Sequence, residues 1–169
     1  MGMELARREL CLVYGGGSTG LMGTVADAVL KMGGRVIGVI PRGLATKELA
    51  HAGLTEMHVV ETMHERKALM AELSDASIAL PGGFGTFEEF FEVLTWSQLG
   101  YHRKPCGILN VEKYFDPLLD LLDHSVTEEF VRPDHRTLVI EENDPARLLD
   151  AIEQWEAPNL KRWINAEQT

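Results

Sequence analysis

The run Ser77-Ile78-Ala79-Leu80-Pro81-Gly82-Gly83-Phe84-Gly85-Thr86-Phe87-Glu88-Glu89 passes from an apolar stretch through a glycine-rich turn into an amphipathic one. A strand that is apolar throughout, instead of alternating, belongs in a parallel sheet with helices on both faces. Upstream the same succession occurs. Leu10 to Tyr14 leads through Gly15-Gly16-Gly17-Ser18-Thr19-Gly20-Leu21-Met22-Gly23 into a helical stretch over Leu21 to Lys31. Further apolar runs lie at Val36 to Ile40, His58 to Val60, Gly107 to Leu109 and Leu138 to Ile140. Helical spacing recurs over Met63 to Ser74, Thr86 to Leu99, Tyr114 to His124 and Ala146 to Trp155. This alternation predicts an α/β fold with a Rossmann-like, doubly wound parallel sheet flanked by helices, in one domain over 1–169. Met3 to Arg8 reads as the end of a helix with no strand before it, so the first strand is expected to be missing from the chain as given. Leu160, Trp163 and Ile164 are spaced for a short docking helix after Pro158.

The chain has 169 residues and 18.8 kDa, 45% of them hydrophobic and 25% charged, which suits one ordinary domain. A domain of this length buries roughly 70% of its unfolded surface and needs no metal or disulfide staple. Cys11 and Cys106 sit in short apolar runs and are expected to be reduced and buried. Sixteen Lys and Arg against 26 Asp and Glu give a net charge of −10. That balance argues against a nucleic-acid or anionic-membrane binder while leaving room for a small anion in a local basic pocket. No apolar run approaches the roughly 18 residues of a membrane span, and the N-terminus lacks the order of a signal peptide. A water-soluble, cytoplasmic protein is expected.

Ligands of open parallel sheets collect at the carboxyl ends of strands, where helix N-termini present free amides. Gly15, Gly17 and Gly20 match a dinucleotide fingerprint in spacing, and Gly16 and Met22 lie in the same turn. Such a site would want an acid after the next strand, which instead ends Ile40-Pro41-Arg42; a tight turn needing positive φ accounts for these glycines better. The second turn, Pro81 to Thr86, is the stronger phosphate cradle. Gly82, Gly83 and Gly85 let backbone amides crowd an anion, and Thr86 adds a hydroxyl. The absence of a lysine after Gly85 excludes the Walker pattern. Glu88 and Glu89 are expected in the first turn of a helix beginning near Phe87. There Glu89 could cap Thr86 in an S/T-x-x-E box or serve in catalysis, and spacing alone does not separate the two.

Met63, Leu69, Met70 and Leu73 predict a buried stripe with Arg66 at its middle and Lys67 beside it. A guanidinium aimed inward needs a carboxylate or phosphate to meet it, unless it is a structural ion pair or extends outward along the stripe. The cradle and two carboxylates one strand further on favour a shared site. Other patterns are weaker. His64-Glu65 starts like a zinc-protease motif, but Ala68 stands where the second ligand would be. The remaining histidines are scattered, and Tyr101-His102-Arg103-Lys104-Pro105 reads as a basic solvated loop. Neither a G-x-S-x-G elbow nor an activated cysteine is present.

Pro81-Gly82-Gly83-Phe84-Gly85-Thr86-Phe87-Glu88-Glu89, together with Met63-His64-Glu65-Arg66-Lys67, resembles the PGGxGTxxE and MxxRK signatures of the LONELY GUY (LOG) family. The similarity extends through Tyr14 to Gly17, Gly20 to Gly23, Thr95 to Gly100, Lys104 to Gly107 and Leu109-Asn110. The resemblance implies hydrolysis of the N-glycosidic bond of N6-modified adenosine 5′-monophosphates, the cytokinin nucleotides, or of AMP. It implies Arg66 and Glu89 as the catalytic pair, and Gly82, Gly83, Phe84, Gly85, Thr86, Phe87 and Glu88 as the phosphate and ribose cradle. Glu48, Lys67 and Thr95 would be further substrate contacts, and Gly15, Gly16, Gly17 and Met22 further nucleotide contacts. It also implies a homodimer with no metal and no cofactor. An older lysine-decarboxylase label for the family would require a pyridoxal phosphate lysine, which the sequence does not single out. A nucleotide or molybdenum-cofactor carrier is the alternative, because such proteins use a related fold and similar glycine turns. A nicotinamide-dependent oxidoreductase lacks its acidic ribose clamp.

Overall fold

The computed structural model describes residues 1–45 and 50–160. Glu48 and the tail residues Trp163 and Ile164 therefore lie outside the described residues. The contacts divide the chain into two compact units, Met1–Ser74 and Asp75–Thr169.

The first unit contains α1 (Gly2–Arg7), β1 (Leu12–Tyr14), α2 (Gly20–Lys31), β2 (Val36–Pro41), α3 (Arg42–Ala45), β3 (Glu56–Val60) and α4 (Met63–Leu73). Its strands form a parallel sheet in the order β1-β2-β3, with Leu12 opposite Val36 and Pro41 opposite Val60. Every residue of the central strand β2 is buried, which is why it reads as an unbroken apolar run. Ala26 and Val29 of α2 are likewise buried, and α2 lies against β1 and β2. Gly38 lets the chain close in at this point, because a Cβ there would stand 2.9 Å from Gly16 Cα. The helix expected at Met3 to Arg8 is α1, which lies against α2.

The second unit contains β4 (Ser77–Ala79), α5 (Phe84–Leu99), β5 (Cys106–Leu109), a single 3₁₀ turn at Val111–Lys113, α6 (Asp116–Thr127), α7 (Pro133–Arg136), β6 (Val139–Glu142) and α8 (Pro145–Glu153). The order is β4-β5-β6, again parallel, with Ala79 opposite Ile108 and Leu109 opposite Glu142. Phe90, Cys106, Ile108, Phe115, Leu119, Leu122 and Val139 build the core. Phe87 meets Phe115 edge to face at 6.4 Å between ring centroids. Burying one such side chain contributes about 1.5–3 kcal/mol. The α/β class with parallel strands and flanking helices is as expected. Among the described residues, no helix is long and apolar enough to cross a membrane.

Three local expectations need correction. Cys106 is buried, but Cys11 is exposed because the sheet pairing begins only at Leu12, one residue later. The helix expected from Tyr114 starts at Asp116, since the Asn110 side chain takes the Phe115 amide and holds Tyr114 in the loop. The helix expected near Phe87 begins at Phe84, directly after Gly83.

Candidate functional site

In each unit a glycine turn leaves the carboxyl end of the first strand and opens a helix without a side-chain cap. Among the other described helices, α4 and α8 carry side-chain caps, while α1, α6 and α7 do not. The Thr62 hydroxyl accepts from Glu65 N at 3.1 Å while the Glu65 carboxylate accepts from Thr62 N at 3.2 Å. Asp144 accepts from the amides of Ala146 and Arg147 at the start of α8. Each such cap is worth about 1 kcal/mol. Leaving it out at α2 and α5 keeps their first amides and the positive end of the helix dipole open to an anion.

The first turn holds Gly15, Gly16, Gly17 and Met22. Gly16 adopts φ +72°, so this glycine does serve a left-handed turn. The Tyr14 hydroxyl donates to the Gly17 carbonyl at 3.0 Å, and burial, aided by Asp27, raises its pKa to about 12, so the phenol keeps its proton. His51 N donates to Gly16 O at 2.9 Å, and the His51 ring meets Asp27 at 3.0 Å. Met22, in the first turn of α2, is exposed.

Arg66 belongs to this same edge. Its Nε donates to the Val39 carbonyl of β2 at 3.1 Å, and the side chain is only 9% exposed. A Cβ on Gly15 would overlap its guanidinium, so Gly15 is required for close approach and not for its backbone angle. Lys67 is buried as well. The expected apolar stripe of α4 is not the buried one. Met63 and Leu73 are exposed, and the residues that α4 buries are Arg66 and Lys67. The Thr62–Glu65 box starts α4 at Met63 and so sets the phase that turns both cations inward.

The second turn runs from Pro81 to Thr86. Since α5 starts at Phe84, Thr86 is the third residue of the helix and cannot be its cap, and Glu88 and Glu89 stand in the second turn instead of the first. The capping account of Glu89 therefore loses its geometry. A Cβ on Gly82 would overlap the Thr86 hydroxyl, so the threonine folds back over the turn. The first backbone bond of the helix is Phe87 N to Gly83 O at 3.2 Å. Glu89 is half-buried, and Glu88 is exposed. Phe84, Glu88, Phe91 and Thr95 follow one another at helical spacing and form an exposed stripe, with Phe84 93% exposed. The Thr95 hydroxyl donates to Phe91 O at 2.6 Å.

Sequence reasoning missed the residues that fix these turns. Tyr114 donates to the Gly82 carbonyl at 2.5 Å, as Tyr14 does to Gly17. Buried Asn110, at the end of β5, donates to Asp116 at 2.8 Å and to Glu141 at 2.9 Å. The available signal was a tyrosine directly before the first glycines and a buried-strand end closed by asparagine. Among the described residues, no three His, Cys, Asp or Glu side chains gather as a metal-binding group.

Residues 22–152 match a family model described as a possible lysine decarboxylase. A protein of Rhodococcoides fascians named cytokinin riboside 5′-monophosphate phosphoribohydrolase is 60% identical over 141 residues, 83% of this chain and 71% of that protein. The chain belongs to the LOG family. Two LOG relatives from Oryza sativa subsp. japonica extend the likeness. The probable phosphoribohydrolase LOGL1 is 51% identical over 92% of this chain and 70% of its own length. The phosphoribohydrolase LOG is 48% identical over 92% of this chain and 64% of its own. The fold is shared more widely. The molybdenum cofactor binding protein of Rippkaea orientalis superposes with a TM-score of 0.66 at 20% identity, over 90% of this chain and 81% of that one. The molybdenum cofactor carrier protein of Chlamydomonas reinhardtii gives 0.65 at 23%, over the same shares.

Proposed function

We propose that this LOG-family chain hydrolyses the N-glycosidic bond of a nucleoside 5′-monophosphate, either an N6-modified adenosine monophosphate or AMP, as one nucleotide-binding domain. The observation that carries the reading is the uncapped Pro81 to Thr86 turn with Glu89 one turn further along the same helix. Relatives named for this activity, at up to 60% identity, support it.

In this reading the amides of Gly83, Phe84 and Gly85 hold the 5′-phosphate, with the Gly82 turn and the Thr86 hydroxyl beside it. Departure of the base leaves an oxocarbenium-like ribose, and the Glu89 carboxylate stabilises that charge and takes a proton from the attacking water. Water oxygen bonds to the anomeric carbon, the carbon–nitrogen bond breaks, and its electron pair leaves with the base, which is finally protonated. The products are free base and ribose 5-phosphate. Arg66 and Lys67 supply cationic groups for the substrate, and Phe87, Glu88, Thr95 and Glu48 are assigned as further contacts. Gly15, Gly16, Gly17 and Met22 line the other uncapped turn. No step calls on a metal or cofactor.

Incubation with AMP and with N6-isopentenyladenosine monophosphate, followed by chromatography, tests the reading. Free base should accumulate with an equal amount of ribose 5-phosphate. A carrier would retain the nucleotide unchanged, and that outcome would overturn the proposal.

A further inference from the structure

We propose that Tyr114 is a positioning residue for phosphate recognition: its phenol fixes the Gly82–Gly83 peptide so that the Gly83 amide, and those that follow it into α5, are presented to the anion. The inference rests on the phosphate-holding role assigned above to this turn.

A trans peptide is a rigid plane in which C=O and N–H point in opposite directions. The protein has no cis peptide bond among its described residues. The Tyr114 hydroxyl donates to Gly82 O at 2.5 Å, so the carbonyl is held on one side and the Gly83 N–H must point to the other. Without that bond a diglycine segment has wide freedom to rotate, since glycine carries little steric restriction. The turn would then spend part of its time with a carbonyl, not an amide, toward the anion.

The loop that carries Tyr114 is built to hold it there. Glu112 and Lys113 adopt φ +50° and +60°, left-handed angles that cost a side-chain-bearing residue roughly 1 kcal/mol or more each. Such a conformation persists only where its surroundings impose it. Asn110 does so from the end of β5. Its amide donates to Asp116 and Glu141, and its carbonyl accepts Phe115 N at 2.8 Å. Tyr114 N closes the turn on Val111 O at 3.0 Å, and the Tyr114 ring stands edge to face on Phe115 at 5.0 Å. Glu141 is opposite Ile108 in the β5–β6 register, so the support comes from the adjacent strand as well. The first unit repeats the device independently, with the Tyr14 phenol on Gly17 O. Two glycine turns, each open to an anion and each pinned by a phenol on a carbonyl, point to a requirement for a fixed peptide plane.

The test is Tyr114→Phe in the full chain, which keeps the ring and removes only the donor. Binding of ribose 5-phosphate is measured by calorimetry and by the shift of the Gly83 amide resonance, and steady-state kinetics are followed on AMP. Loss of one neutral hydrogen bond should weaken ribose 5-phosphate binding roughly five- to tenfold. KM for AMP should rise by a similar factor with kcat little changed, while binding of unphosphorylated adenosine stays as in the unaltered protein. Tyr114→Phe with unaltered ribose 5-phosphate affinity and KM overturns the inference, even if its melting temperature falls. Equal weakening toward adenosine also overturns it, because that is general loosening. If the unaltered protein binds ribose 5-phosphate but releases no base from any nucleotide, the hydrolase reading fails, while the binding of ribose 5-phosphate by Tyr114→Phe still decides this inference on its own. If it binds neither ribose 5-phosphate nor phosphate, both fall.

Discussion

Arg66 shows how a single glycine can serve a side chain instead of a turn. The guanidinium lies at the carboxyl edge of the first sheet, bonded to Val39 O, in space that a Cβ on Gly15 would occupy. Gly15→Ala leaves the backbone free to keep its conformation but displaces the cation. Displacement of a positioning group by about 1 Å can cost around 100-fold in rate, so kcat/KM on AMP should fall by about that factor. The melting temperature should change by only a few degrees. Steady-state assays beside a thermal melt check this, and full activity in the variant would show that the position of Arg66 does not matter. The importance of Arg66 was legible in the sequence as a cation in an apolar periodicity. The reason was not, because Met63 and Leu73 turn outward and α4 buries its cations.

At the scale of elements, strands and helices follow the sequence pattern wherever that pattern is long, as in β2 and α2. They depart from it at ends decided by tertiary hydrogen bonds. Asn110 delays α6, and a helix start at Phe84 instead of Phe87 moves Glu89 from the first turn to the second. Neither shift is encoded in local propensity. The Thr62–Glu65 capping box went unread in the sequence, although it is the same Thr-x-x-Glu pattern as Thr86–Glu89, which forms no cap because α5 has already begun at Phe84. One face of α5 belongs to the same scale. Phe84, at 93% exposed, and Phe91 share an outward stripe, which a homodimer of the kind the family resemblance implies would bury. Light scattering should give twice the 18.8 kDa chain mass, and Phe84→Asp should shift the population toward single chains. A single-chain mass for the unaltered protein at micromolar concentration would contradict that expectation.

For the whole molecule, each unit carries the same arrangement: a short parallel sheet, a glycine turn at its carboxyl edge, an uncapped helix, and a tyrosine pinning the turn. Fold class and the glycine turns were readable from the chain alone because they rest on local pattern. The pinning role of Tyr114 was not, since its contact with Gly82 joins positions far apart in sequence, whereas Tyr14 reaches Gly17 only three residues on. The acidic balance of the protein, with a net charge of −10, makes local cations and open amides the means of holding an anionic substrate. The central claim is that Glu89 performs the chemistry on the nucleotide so held. It is tested most directly by single-turnover release of adenine from AMP in Glu89→Gln, with AMP binding measured on the same sample. The expected result is a rate lower by about a thousandfold with binding retained, in line with loss of a catalytic carboxylate. Release within a few-fold of the unaltered rate would contradict the account.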